Sequence, residues 1–220
     1  MSTLRVFSAF AVAVAMMISA GSAQALPFAG SFTIDDYNEV SGGGLDIETI
    51  PYAGYGFGNN NLSFDLNVGE STGFVPLFKI WTNEGSVGAD DLTPQPINVG
   101  FSFTSPTPAF GGTALGQTVG GGICIPSLGC IGDHGSVSWT GPTTFNFGAL
   151  GNGVLKLSLT SQTFNGGFID LMNGTEYGAV VKGSFTLVNE ASGVPEPANA
   201  ALFAMGLLGL GLTARRRLVA

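Results

Sequence analysis

Leu62-Ser63-Phe64-Asp65-Leu66-Asn67-Val68 alternates apolar and polar residues without a break. A period of two puts Leu62, Phe64, Leu66 and Val68 on one face of an extended chain and the polar residues on the other. The same pattern recurs in Ile97-Asn98-Val99-Gly100-Phe101-Ser102-Phe103-Thr104 and in Leu155-Lys156-Leu157-Ser158-Leu159-Thr160. Weaker versions cover 31–35, 45–50, 74–82, 136–140, 143–147, 164–171 and 177–188. That makes about ten short strands.

Turn chemistry separates them. Gly-Gly-Gly at 42–44 and 120–122, Gly58-Asn59-Asn60-Asn61, Asn83-Glu84-Gly85, Gly151-Asn152-Gly153 and Asn173-Gly174 supply positive φ at low steric cost. No window of 26–193 carries a 3.6-residue apolar stripe. One-sided alternation predicts antiparallel sheets with one wet face, and two such sheets packed together predict an all-β, antiparallel β-sandwich. Phe32, Phe64, Phe101, Phe103, Trp139, Phe145, Phe147, Leu157 and Phe185 are the expected core. Pro94, Pro96, Pro106 and Pro108 flank one strand and predict a long connection there.

Composition agrees. Charged residues are 10% of the 220, and Gly contributes 35. Between the two ends there is no arginine. Lys79, Lys156 and Lys182 face fourteen acids there, a formal charge of −11. Phosphate backbones and anionic headgroups repel such a body, which argues against nucleic acid as a partner.

The ends read as addresses. Arg5 precedes an apolar run over 6–18, and Ala23-Gln24-Ala25 follows as a small-x-small site. This is the pattern of a signal peptide over 1–25, cut by signal peptidase after Ala25. At the other end, Val194-Pro195-Glu196-Pro197 precedes an almost wholly apolar stretch over 198–214, then Arg215-Arg216-Arg217. The prolines stop a helix from running back into the body. As a helix, the apolar stretch would span about 25 Å. The three guanidinium groups should stay on the cytoplasmic side, which places the body across the membrane. An N-terminal signal helix and a C-terminal apolar helix are therefore expected to flank the β domain. The expected division is a signal peptide at 1–25, a β-sandwich at 26–189, and a linker with its tail at 190–220.

The tail resembles the PEP-CTERM sorting signal of Gram-negative bacteria, with three parts in matching order: Val194 to Pro197, the apolar helix, and Arg215 to Arg217. The resemblance covers only the last 27 residues or so. It implies transient membrane anchoring, then recognition by an exosortase and release to the cell surface or extracellular matrix. It also implies association with exopolysaccharide and biofilm.

Cys124 and Cys130, in an exported chain, read as a disulfide closing a tight loop. The body offers little chemistry. Asp133, His134 and Ser136 are neighbours in one segment, a poor start for a nucleophile, base and orienter. No Gly-x-Ser-x-Gly elbow and no phosphate loop are present. No catalytic, cofactor or metal residues are assigned, and the chain is expected not to be an enzyme. Asp35-Asp36, Asp90-Asp91 and Asp65 with Asn67 are the best oxygen donors for calcium, but no Asp-x-Asp-x-Asp-Gly loop contains them. The expected role is a structural or adhesive matrix protein. One alternative is a carbohydrate-binding, lectin-like module, calcium-dependent or not, using Tyr52, Tyr55, Phe57 or Trp81. A second is a polysaccharide hydrolase built on paired carboxylates.

Overall fold

A computed structural model of the chain describes residues 25–35, 43–52, 60–125 and 129–191, with the side chains of 124–130 outside that description. The fold is all-β. Among the described residues eleven strands form: β1 (Leu26–Asp35), β2 (Glu48–Pro51), β3 (Asn61–Leu66), β4 (Val75–Trp81), β5 (Gln95–Ser105), β6 (Phe110–Ile125), β7 (Gly129–Trp139), β8 (Thr143–Phe147), β9 (Gly153–Leu159), β10 (Gln162–Phe164) and β11 (Ala179–Asn189). A 3-10 turn covers Thr175–Tyr177. Among the described residues no helix is long and apolar enough to cross a membrane. The expected signal and tail helices fall outside the described residues.

The strands make two antiparallel sheets. One has six strands in the order β10-β7-β6-β5-β1-β3; the other has five, in the order β2-β4-β11-β9-β8. Their inner faces meet over one apolar core. Phe64 of β3 stacks on Phe185 of β11 with centroids 4.8 Å apart. Phe28 of β1 meets Phe147 of β8 edge-on at 5.5 Å. Phe101 lies 5.7 Å from Phe145. Offset and edge-on pairs suit the ring quadrupoles, so these contacts add to the burial of large side chains. Seven of the nine expected core residues are buried, while Phe64 and Trp139 are half-buried and pack against the core.

Several local expectations are corrected. Val68 is exposed, because β3 ends at Leu66 and the chain turns. The strands are not all short: β5, β7 and β11 run 11 residues each and β6 runs 16. Gly120-Gly121-Gly122 is not a turn but lies inside β6. Crowding bears on two of its glycines, Gly120 and Gly121. A Cβ on Gly120 would sit 3.0 Å from Asp91 and Val87 side-chain atoms, and one on Gly121 would sit 2.6 Å from His134 Nε2. Glycine in a strand often marks such close approach. A register shift between Gly121 and Ile123 adds a bulge there. The strand expected over 164–171 stops at Phe164, where Asn165 turns at φ 51°. The long connection lies before β5, over 82–94. After β5 the four residues 106–109 suffice, with Pro106 and Pro108 in cis peptides.

Candidate functional site

Period two, which predicts the strands, also separates the candidate triad. In β7, Asp133 points inward and is 1% exposed, whereas His134 and Ser136 stand on the other face. Each group is engaged elsewhere. Asp133 Oδ2 accepts the Val87 N–H at 3.1 Å. His134 Nδ1 lies 2.8 Å from the Gly132 carbonyl. Ser136 donates to Val119 O at 3.2 Å. No nucleophile, base and orienter meet here.

The calcium candidates are dispersed. Asp91 is buried, and its Oδ2 accepts the Gly88 N–H at 2.6 Å. Asp65 is exposed on edge strand β3, and Asp35 ends β1. Asn67 donates to Glu70 Oε2 at 2.9 Å from both its backbone and its side-chain nitrogen, which holds the Glu70 carboxyl below its usual range. Asp36 lies outside the described residues. Among the described residues no group of three or more His, Cys, Asp or Glu is arranged to hold a metal.

Of the aromatic candidates, Tyr55 and Phe57 lie outside the described residues. Tyr52 is half-buried, its N–H given to Leu77 O at 2.8 Å. Trp81 is half-buried at the end of β4, opposite Glu48. Ala25 is half-buried just before β1. Ala23, Val194 to Pro197 and Arg215 to Arg217 lie outside the described residues. Cys124 and Cys130 face each other directly in the β6–β7 ladder.

Two arrangements were not anticipated. One is polar and near-buried, around 82–94. Glu84 accepts the Asp46 N–H through Oε1. Burial pushes the Glu84 carboxyl up to about 7; the Asp46 N–H opposes this, while the Asp91 and Asp46 carboxyls reinforce it. Nearby, Asn165 is fully buried. Its Oδ1 accepts the Thr82 N–H at 3.1 Å. Its Nδ2 faces the carbonyls of Thr82 at 3.2 Å and Gly174 at 3.0 Å, and also that of Met172. The amide thus ties three segments together. Asn165 falls inside the alternating run 164–171 that reads as a strand, so the sequence gives no signal of this role. Glu84 has none either, because its neighbours come from 46 and 91.

The second is a surface on the outer face of the six-stranded sheet. Ser31 and Thr33 of β1, Gly100 and Ser102 of β5 and Thr113 of β6 line a shallow groove of about 310 Å³. A second depression of about 290 Å³ adjoins it at Thr113 and is lined by Leu115, Thr140, Pro142 and, from the start of β8 in the other sheet, Thr143. Neither lining includes a charged residue. Alternation places Lys79, Lys156 and Lys182 on the outer face of the other sheet. What the two depressions offer is therefore hydrogen bonding without charge, although Asp35 and Asp65 stand on the same outer face beyond them. No known protein family, curated protein or solved structure matches this chain.

Proposed function

We propose that the chain is an exported structural or adhesive protein of a polysaccharide matrix, with a β-sandwich body and a tail processed by an exosortase. The carrying observation is the order Val194-Pro195-Glu196-Pro197, apolar 198–214, Arg215-Arg216-Arg217, placed directly after the last strand of the body. Signal peptidase removes 1–25, and the tail holds the protein in the membrane until it is cut. In this reading Cys124 and Cys130 form a disulfide, supported by their direct opposition in the ladder. Paired strand positions bring Cα atoms about 4.5–5.5 Å apart, within the span a disulfide bridges.

The test is processing. Cells lacking exosortase are expected to keep a larger, membrane-bound form, and cells with it to release a shorter one. Unchanged size and location in the two strains would remove the sorting reading.

A lectin-like reading is the second one, because the uncharged, hydroxyl-lined groove suits sugars better than it suits charged partners.

A further inference from the structure

We infer that the two adjoining depressions on the outer face of the six-stranded sheet bind one strand of an uncharged polysaccharide. This deepens the matrix reading above and rests on it. Three observations carry it.

The first is shape. Two depressions of about 310 and 290 Å³ share Thr113, so the track crosses from β1 over β5 and β6 to the residues that follow β7. Each is at the small end of the ligand-site range, about 300–1,000 Å³. Together they suit an elongated ligand better than a compact one.

The second is the floor. Gly100 lies between Thr33 and Thr113 in the paired register of β1, β5 and β6. A Cβ there would lie 3.1 Å from Thr33 Oγ1. A bare backbone inside a strand marks a place where another chain can approach closely. Leu115, 56% exposed, adds an apolar contact for the C–H face of a sugar ring.

The third is chemistry. Ser31 stands opposite Ser102, and Thr33 opposite Gly100. Positions on neighbouring strands lie about 4.8 Å apart, so Ser31 and Ser102 are one such step apart, while Thr33 and Thr113 are two steps apart across Gly100. One step is close to the length of a single sugar unit in an extended chain, and two steps to a pair of units. The hydroxyls both donate and accept, as sugar hydroxyls do. The body is strongly acidic, yet this track carries no charge. An acidic polymer would find no cation here, since Lys79, Lys156 and Lys182 lie on the opposite sheet.

The test uses the full chain in detergent and affinity electrophoresis through gels containing a soluble neutral β-glucan or amylose, with alginate and DNA as acidic comparisons. Retardation by at least one neutral polymer and by neither acidic one is expected. Gly100→Val fills the floor and is expected to weaken retention about tenfold or more. Thr33→Ala with Thr113→Ala removes hydroxyls without adding bulk and is expected to weaken it too. Thr186→Val, on the other sheet, is expected to leave it unchanged. Retention by alginate or DNA alone, no retention by either neutral polymer, or equal retention of both groove variants would overturn the inference. Tail processing is scored on the same samples. Normal processing without glycan retention removes the groove and leaves the sorting reading standing; glycan retention with failed processing does the reverse.

Discussion

Asn165 and Thr82 are joined by two hydrogen bonds, the Asn165 side-chain amide matching the backbone of Thr82 as a strand would. The pair sits where β4 and β10 both stop, and it ties together the ends of two strands that belong to different sheets.

Asn165→Ala leaves the Thr82 N–H buried without its acceptor and the Met172 carbonyl without its Asn165 donor, while the Thr82 and Gly174 carbonyls keep the Gly174 and Tyr177 N–H groups. A loss of roughly 3 kcal/mol is expected in denaturant unfolding. Asn165→Asp should be at least as harmful near neutral pH, because a carboxylate would face those same carbonyls. A loss below about 1 kcal/mol for both variants would mean that the amide is not the staple described.

Glu84 makes stability depend on pH. Its carboxyl titrates at 4.5 when unperturbed and near 7 in the fold. Between those values the folded chain binds more protons than the unfolded one. Stability is thus full below about 4.5 and falls as pH rises to about 7. Glu84→Gln stays neutral and should flatten that part of the melting-temperature profile. Equal slopes for the two proteins between pH 4.5 and 7 would contradict the assignment.

Gly135 of β7 faces the ring of Phe164, and a Cβ there would fall 2.3 Å from Cε2. Phe164 is buried and has no room to retreat. Gly135→Ala is expected to cost about 1–3 kcal/mol. Gly100→Ala, on the open face, should change stability by about 0.5 kcal/mol or less. Thermal melts of the two variants give the comparison, and equal effects would contradict it.

The Cys124–Cys130 pair yields a chemical prediction. Protein recovered from an oxidising compartment should resist alkylation until it is reduced, and its unreduced mass should be lighter by two hydrogens. So short a loop contributes about 2 kcal/mol in the chain-entropy account. Reduction should therefore lower the melting temperature without unfolding the domain. Two thiols alkylated in the native, unreduced protein would exclude the bridge.

The β character and most strands were legible because alternation is local. Phe101, Phe103, Phe145 and Phe147 are buried as the period-two pattern demands. Three features were not legible. Gly120 to Gly122 look like a turn until the neighbours that forbid a side chain, Asp91, Val87 and His134, are in place. Asn165 looks like part of a strand because the partner that bends the chain there, Thr82, is 83 residues away. The groove depends on which strands become neighbours: Thr33 and Thr113 share it only because β5 lies between their strands. Single-sequence periodicity carries a residue's face but not its lateral neighbours.

The position of β11 governs how the body bears a pull. This strand is the last of the described chain, it lies between β4 and β9, and Ala191 beyond it packs against Gly148 and the core. Tension applied past Ala191 would load the hydrogen bonds on both flanks of β11 at once, in shear, rather than unzip them singly from an edge. A body tethered through that end would hold its shape under drag that would peel away a chain attached through an outer strand.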